Sequence, residues 1–449
     1  GDTMRPSDQV SRRGFLKSTG MAVVGGGLIS DDAARPEPPV HGQDEARVRD
    51  YRRLGRTGFE VSDIGFGAGY LNNANVLQVA MDMGVNYIDT AEHYANGASE
   101  QAVGEALQGR DRSSVFLTTK LNMMLGGSTK EAIRQRFHRC LERLQTDYVD
   151  CLMLHMTPTV EQITHEGFHA AAQELKAEGK VRFLGLSNHG TEHSMAGPVQ
   201  DRMEDIIGAA AEDGRFDVAL FVYNFLQQEQ GERIIEACKA KDMGVTLMKT
   251  NPVAFAAGID EYLGRIEARG RDVPESIARM AAEYKAFVAA AEEFKARHHL
   301  QSDAEVRDAA IRFVLGNPDV HAVCPSINTF DELDTFVALS GQKLLSGDGS
   351  MLESYEASLG RFYCRHACGI CEPSCPQQVP VNAIMRYNHY FVAHGRQKHA
   401  MEQYASLSRT RTAVADVCLE CPGYCEAACP HGVPVRMLLT RAHEALSLA

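Results

Sequence analysis

Apolar residues along this chain recur in two alternating rhythms. From Val61 onward, short runs dense in Val, Ile, Leu and Phe give way to stretches where apolar positions return every three or four residues. The first rhythm reads as a buried strand and the second as an amphipathic helix. The pattern predicts strands at Val61–Gly67, Asn86–Thr90, Val115–Lys120, Val149–His155, Val181–Asn188, Asp217–Asn224, Gly244–Lys249 and His321–Ser326. It predicts helices at Asn75–Met83, Glu100–Gln108, Lys130–Leu144, Phe168–Glu178, Met203–Ala211, Glu232–Lys241, Glu305–Leu315 and Asp331–Leu339. Eight strand–helix pairs over about 290 residues suit the α/β class and a parallel (β/α)8 TIM barrel, whose usual size is ~250 residues plus insertions. An open doubly wound sheet is the alternative, but no Gly-x-Gly-x-x-Gly turn follows the first strand.

Three segments break the rhythm. Glu261–Leu300 is long, and its Ile277–Arg297 part carries charge on one face and Ala, Phe and Tyr on the other. It reads as a helix packed over the barrel face after the seventh strand. Ser346–Ser350 reads as part of a linker, beyond which Val381–His394 and Gln397–Leu407 look helical. At the other end, the mildly apolar run Met21–Ile29 is shorter than the ~20 residues a spanning helix needs, and Ser30–Gln43, rich in Asp, Pro and Ala, reads as a second linker. The division that follows is residues 1–46 for a leader and linker, 47–345 for the barrel, 346–357 for the linker and 358–449 for a C-terminal domain.

Polar residues fall where a barrel would use them. Asp89, Lys120, His155, Asn188, Asn224, Lys249 and Ser326 stand at or near the C-terminal ends of seven strands, the face on which barrels of this kind build active sites. One strand-end polar group is usually only solvated; seven point to a site. A further ionisable group, Tyr94, follows Asp89 by five residues.

Composition narrows the function. A 44% hydrophobic share leaves material for a large core, and a net charge of -13 argues against nucleic acid as a partner, because phosphate binding needs a concentrated basic surface. Of twelve cysteines, Cys140, Cys151, Cys238 and Cys324 are scattered through apolar segments and read as inert core. The other eight form two sets: Cys364, Cys368, Cys371 and Cys375 before Pro376, and Cys418, Cys421, Cys425 and Cys429 before Pro430. Zinc sites usually show two Cys pairs across a longer loop, and neighbouring cysteines within one turn cannot all pair as disulfides. Four close cysteines ending in Cys-Pro, twice, favour iron–sulfur binding.

The barrel segment resembles the aldo-keto reductase family. The matching motifs are Asp89-Thr90-Ala91-Glu92-His93-Tyr94, Ser99-Glu100, Thr118-Thr119-Lys120, Asp147-Tyr148-Val149-Asp150 ahead of His155, and Gly179-Lys180-Val181-Arg182 leading to Ser187-Asn188. They run from about Leu54 to Leu339 in the family's order. The resemblance places a catalytic tetrad on Asp89, Tyr94, Lys120 and His155 and a nicotinamide carboxamide on Ser187 and Asn188. Lys249, Ser326 and Asn328 become candidates for the cofactor phosphates. The implied reaction is hydride transfer between NADP or NAD and a small carbonyl or alcohol. Hydride addition creates an alkoxide that needs a proton donor within reach. Tyr94 would give that proton, Lys120 would lower the phenol's pKa, Asp89 would hold Lys120 charged, and His155 would hydrogen-bond the developing oxyanion. The chain departs from the family at Leu220, where a glutamine touching the nicotinamide is usual, and at Met248-Lys249-Thr250, where an aromatic ring is usual. The Asp331-Glu332 pair stands where a grip on a 2′-phosphate is usual, and an acidic pair suits a ribose hydroxyl better.

Two further resemblances complete the reading. The cysteine sets resemble the two-cluster bacterial ferredoxin run, in which the fourth Cys of each motif serves the other cluster. That pattern implies two 4Fe-4S clusters, one on Cys364, Cys368, Cys371 and Cys429, the other on Cys418, Cys421, Cys425 and Cys375. The gaps are three, two, three and then two, three, three residues, against the usual two, two, three. The helical stretches between the motifs suggest an α-helical ferredoxin-like domain. Ser11–Lys17, reading Ser-Arg-Arg-Gly-Phe-Leu-Lys, resembles a twin-arginine signal. It implies export of the folded, loaded protein by the twin-arginine machinery to a periplasmic or other extracytoplasmic site. A one-electron redox partner is then the natural client of the clusters. The competing reading is an electron-transfer or binding module whose barrel no longer uses a nicotinamide.

Overall fold

The computed structural model describes residues 46–190, 201–253, 264, 268, 275–392, 395–410, 415–418 and 421–447. The arginine pair at 12–13 and the 30–43 stretch lie outside them. Residues 46–449 form one compact unit.

A short antiparallel hairpin, β1 (Tyr51–Arg53) and β2 (Glu60–Ser62), precedes eight parallel strands. These are β3 (Phe66–Gly67), β4 (Tyr87–Asp89), β5 (Phe116–Leu121), β6 (Val149–His155), β7 (Val181–Asn188), β8 (Val218–Val222), β9 (Gly244–Met248) and β10 (Ala322–Val323), each pairing with its neighbour in chain order. The sheet closes on itself where Ile64 bridges Val323 and Gly67 bridges Ser326, both parallel. Closure excludes the doubly wound alternative and leaves no open edge.

Around the sheet run α1 (Ala74–Asp82), α2 (Ala98–Leu107), α3 (Lys130–Leu144), α4 (Glu166–Ala177), α5 (Met203–Asp213) and α6 (Gln228–Lys239). After β9 come α7 (Glu275–Arg297) and α8 (Ala304–Leu315), and after β10 comes α9 (Phe330–Val337). Their apolar faces pack with outward strand residues such as Ile88, Leu117, Leu152, Leu186 and Leu247.

Strand alternation sends the other set inward. Tyr87, Phe116, Cys151, Met153, Val218, Leu220 and Cys324 fill the barrel, with Leu54 and Val61 of the hairpin segment among them. Asp89 lies two residues beyond Tyr87, Lys120 four beyond Phe116 and His155 two beyond Met153. The same register that packs the interior therefore delivers three ionisable groups to the mouth.

The C-terminal part contains α10 (Asp348–Leu359), α11 (Val381–Val392), α12 (Gln397–Thr410), α13 (Tyr424–Ala427) and α14 (Val435–Leu446), with short 3-10 turns and no strand among the described residues. The 346–357 stretch, read from sequence as a linker, is mostly the packed helix α10. Met351, Leu352 and Tyr355 are buried in a second apolar core shared with α7, α8 and the C-terminal helices. A buried ion pair ties it down: Arg312 Nε lies 2.7 Å from Asp348 Oδ2. Helix α7 is present as the periodicity predicts, and its apolar face meets that second core through Tyr284, Phe287 and Phe294.

Candidate active site

At the barrel mouth Lys120 Nζ donates to Asp89 Oδ1 at 2.5 Å, to Thr90 O at 2.7 Å and to Tyr94 Oη at 3.3 Å. Lys120 is fully buried and Asp89 nearly so. An ammonium removed from water stays charged only if every proton finds an acceptor and a counter-charge stands close. Both conditions hold. Burial pulls the Lys120 pKa down, but Asp89 and the Tyr94 oxygen outweigh it and hold the amine well above its ordinary range.

Tyr94 reaches this cluster on a tight loop. Ala95 and Asn96 take left-handed backbone at φ 48° and 55°, an arrangement disfavoured for residues with a Cβ and sustained only by surrounding contacts. Glu92, Ser99 and Glu100, the last with Thr119 as a partner, anchor the chain on either side of the loop. Ser99 Oγ donates to Ala68 O at 2.5 Å, Thr119 Oγ1 donates to Glu100 Oε1 at 2.7 Å, and Arg143 pairs with Glu100 at 3.0 Å. Glu92 is gripped by Arg136 and accepts from Asn122 N at 3.1 Å. These contacts tie the loop to the neighbouring elements.

His155 meets Tyr94 edge-on with ring centroids 5.5 Å apart and stacks on His93 at 4.7 Å. Burial, then His93, Lys120 and Lys249, push its pKa well below the ordinary value of 6.5. It is a neutral imidazole at neutral pH, able to donate a hydrogen bond and unable to serve as a cationic acid. Its Nδ1 is buried with no hydrogen-bond partner in the protein.

Two expectations need correction. Lys120 does draw the Tyr94 pKa down, but burial is the larger effect and the phenol ends above its ordinary 10.0. Glu332 Oε2 is committed to a structural role rather than held free for a ribose. It closes a capping box on α9 with Thr329, and it accepts from the backbone N of Asn328 at 2.7 Å and of Thr329 at 3.2 Å. Asn328, read as a phosphate candidate, has its backbone N–H committed to Glu332, so only its side chain is left for that role. The pattern Thr329-x-x-Glu332 is a readable capping signal.

The remaining cofactor candidates fit a nicotinamide in part. Ser187 and Asn188 are buried at the end of β7. Asn188 gives one amide proton to Thr157 O at 2.6 Å and accepts from Gly190 N at 3.1 Å, which leaves one proton and one lone pair for a carboxamide. Ser187 Oγ takes only a long bond from Met156 N at 3.4 Å, so its hydroxyl can still donate. Lys249 has left-handed backbone, φ 53°, and its Nζ lies 5.3 Å from the Tyr390 ring centroid of α11. Ser326 takes part in barrel closure and lies near Tyr94 across Gly69. His93, His189, Arg386 and Tyr390 join this neighbourhood without having been assigned roles from sequence. Only the His93-Tyr94 adjacency was readable there.

The cysteine-rich region holds a second candidate site. One cavity is lined by Cys364, Cys368, Cys371 and Cys429 together with Asn382 and His431. Its four cysteines are three from the first motif and the last from the second. Burial, then neighbouring thiols, raises Cys364 well above its usual value. Burial, then Cys375 and Cys421, pushes Cys425 up to about 11, so those three also stand together. Amide donors point at sulfur: Asn382 Nδ2 to Cys364 at 3.7 Å, Val379 N to Cys375 at 3.4 Å and Gly423 N to Cys421 at 3.4 Å. None of the twelve cysteines is joined in a disulfide. Among the described residues no three His, Cys, Asp or Glu side chains form the donor set of a single metal ion. Cys140, Cys151, Cys238 and Cys324 are buried in the barrel core, as their apolar settings predict.

Comparison with known proteins converges on one family. The signature of the Aldo/keto reductase family matches residues 64–354. The uncharacterized oxidoreductase YqkF of Bacillus subtilis is 35% identical over 149 residues, covering 30% of this chain and 48% of that protein. Methylglyoxal reductase YeaE of Escherichia coli is 39% identical over 112 residues, covering 25% and 37%. The chain thus spans about half or less of these curated relatives. Among solved structures, aldo-keto reductase AKR11C1 of Bacillus halodurans in its holo form is similar over 68% of this chain and 95% of that one, at 24% identity and a TM-score of 0.48.

Proposed function

The chain belongs to the aldo/keto reductase family, and on that premise we propose that it is an oxidoreductase acting on a small carbonyl or alcohol with NADP or NAD. The observation that carries this is the buried Lys120, whose Nζ bridges Asp89 Oδ1 and Tyr94 Oη at 2.5 and 3.3 Å. A nicotinamide bound against Ser187 and Asn188 would supply or accept the hydride. Tyr94 gives its proton to the alkoxide, and Lys120 stabilises the phenolate that remains. Neutral His155 orients the carbonyl by donating from its ring N–H, and burial strengthens each contact. Fluorescence titration with NADPH and NADH, followed by turnover of methylglyoxal as a probe aldehyde, tests the reading. Binding of neither nucleotide would remove it.

The crossed cysteine grouping supports two 4Fe-4S clusters held by Cys364, Cys368, Cys371 and Cys429 and by Cys375, Cys418, Cys421 and Cys425. A single zinc ion at Zn–S ~2.3 Å gathers its sulfurs within about 3.8 Å of one another. Thiolates that bind separate irons of one cluster stand further apart, and the four cysteines of the first group line one shared cavity. Such clusters supply one-electron carriers for a redox partner, and the cysteine-rich region would be a ferredoxin-like domain. The Ser11–Lys17 motif supports export by the twin-arginine route after the clusters are loaded. A barrel without nicotinamide chemistry is the second reading. It is favoured by Leu220, which lies in the apolar interior where the family's glutamine is usual.

A further inference from the structure

Strand β7 ends on Ser187 and Asn188, and the chain then turns through His189 and Gly190. The turn is held from far away in sequence. Arg386, on α11, is almost fully buried; its Nη1 donates to Gly190 O at 2.7 Å and to His189 O at 3.2 Å, with His189 Nδ1 also at 3.2 Å. Burying a guanidinium is unfavourable unless its protons find acceptors, so the carbonyls of this turn and the arginine hold each other in place. Gly190 has φ 83°, and a Cβ there would lie 3.1 Å from Arg386 Nη1 and 3.5 Å from Asn382 Oδ1. The backbone and α11 therefore meet with no spare layer between them.

Asn382 lies one helical turn before Arg386, on the same face. Its Oδ1 accepts from Ala367 N at 2.9 Å, and its Nδ2 donates to Arg365 O at 2.7 Å and reaches Cys364 Sγ at 3.7 Å. One face of α11 thus touches the turn after Asn188 with one residue and the Cys364 loop with the other. Asn188 itself depends on the turn, since its Oδ1 accepts from Gly190 N at 3.1 Å. Moving Gly190 rotates the amide proposed to meet the nicotinamide.

We infer that Arg386 is a positioning residue for nicotinamide binding: from the cysteine-rich region it fixes the Asn188–Gly190 turn, so the barrel's cofactor site is complete only with α11 seated. This rests on the proposed nicotinamide reading of Ser187 and Asn188. It goes beyond that reading by making the C-terminal segment part of the cofactor site. An electrostatic role alone would be met by any cation at this position. The geometry instead places one guanidinium nitrogen, Nη1, within reach of two successive carbonyls, a position that the shorter, differently shaped head of lysine would reproduce only in part.

The test uses the full-length protein purified anaerobically, as wild type, Arg386→Gln and Arg386→Lys, titrated with NADPH and NADH. Amide hydrogen exchange over 187–190 is measured without nucleotide. Arg386→Gln should weaken nucleotide binding about tenfold or more and speed exchange at these amides, with the nucleotide KM rising more than kcat falls. Arg386→Lys should recover part of both. Unchanged affinity and unchanged exchange in Arg386→Gln overturn the inference. If the Arg386 variants fail to fold, Gly190→Ala crowds the same contact from the other side and should weaken nucleotide binding; wild-type affinity there overturns it too. A wild-type protein that binds neither nucleotide sinks the functional reading instead, and faster exchange in Arg386→Gln would still report the clamp on the turn.

Discussion

Lys120 and Asp89 form an ion pair at 2.5 Å with the lysine side chain wholly buried and the carboxylate 5% exposed. Such a pair contributes little to stability relative to an apolar pair of equal shape. Its halves are nonetheless costly to separate. Its place beside Tyr94 fits the catalytic role proposed above.

The first prediction concerns the broken pair. Lys120→Met leaves Asp89 buried without its counter-charge and should cost about 3–5 kcal/mol of stability. Asp89→Asn combined with Lys120→Met should recover part of that loss. Urea denaturation of Lys120→Met, Asp89→Asn and the double variant checks it; a double variant as unstable as the sum of the singles would show that the two residues do not interact.

The pH profile of carbonyl reduction follows from the two directions found at the site. Tyr94, the proposed acid, is held above its ordinary 10.0 by burial, so its protonated form should persist across neutral pH and be lost only in strong alkali. His155 is held well below 6.5 and stays neutral over the same range. The rate should therefore show no inflection between about pH 6 and 8, where an unperturbed histidine titrates. An inflection near 6.5 that disappears in His155→Gln would contradict the assignment.

Stability should respond to the buried imidazoles. His155 and His189 are both depressed below 6.5, His189 by burial, then Lys249, Arg386, His155 and His366. In the unfolded chain they bind protons below that value, while folded they do not. Stability is thus fully present above pH 6.5 and falls as pH drops below it, by at most about 1.4 kcal/mol per pH unit per residue. Urea midpoints at pH 7.5 and 5.5 should differ, and His189→Gln should reduce the difference. An unchanged slope in that variant would put the proton uptake elsewhere.

Crossed ligation makes a pairwise prediction. Cys429→Ser should remove the same cluster as Cys371→Ser, because both line one cavity, while Cys375→Ser should remove the other. Iron and sulfide analysis with EPR of each variant decides. Loss of the same signal in Cys429→Ser and Cys421→Ser, with the Cys371→Ser signal distinct, would mean that each motif keeps its own cluster.

Much of the barrel was legible because its interior and exterior are written in period two. Tyr87-Ile88-Asp89 and Phe116 to Lys120 each declare which face is inside, and the ionisable residue ends the inward set. Helix α10 was not legible. Its start, Ser346-Gly347-Asp348, looks like loop composition, and the residue that makes it a packed helix is Arg312, on another element. The Arg386 grip on Gly190 spans 196 residues and has no local signature at all. Tyr94 was placed correctly beside Lys120 but its pKa direction was not, because sequence shows the neighbouring charge and not the depth of burial. Glu332 was a missed capping box, with its pattern in plain view.

The most direct test is single-turnover oxidation of bound NADPH by methylglyoxal under anaerobic conditions, with NADH run in parallel, comparing wild type with Tyr94→Phe. The account predicts that both proteins bind nucleotide with similar affinity and that the variant transfers hydride about 10²–10⁴ times more slowly. Equal rates in the two proteins, or a wild type that binds neither nucleotide, would contradict it.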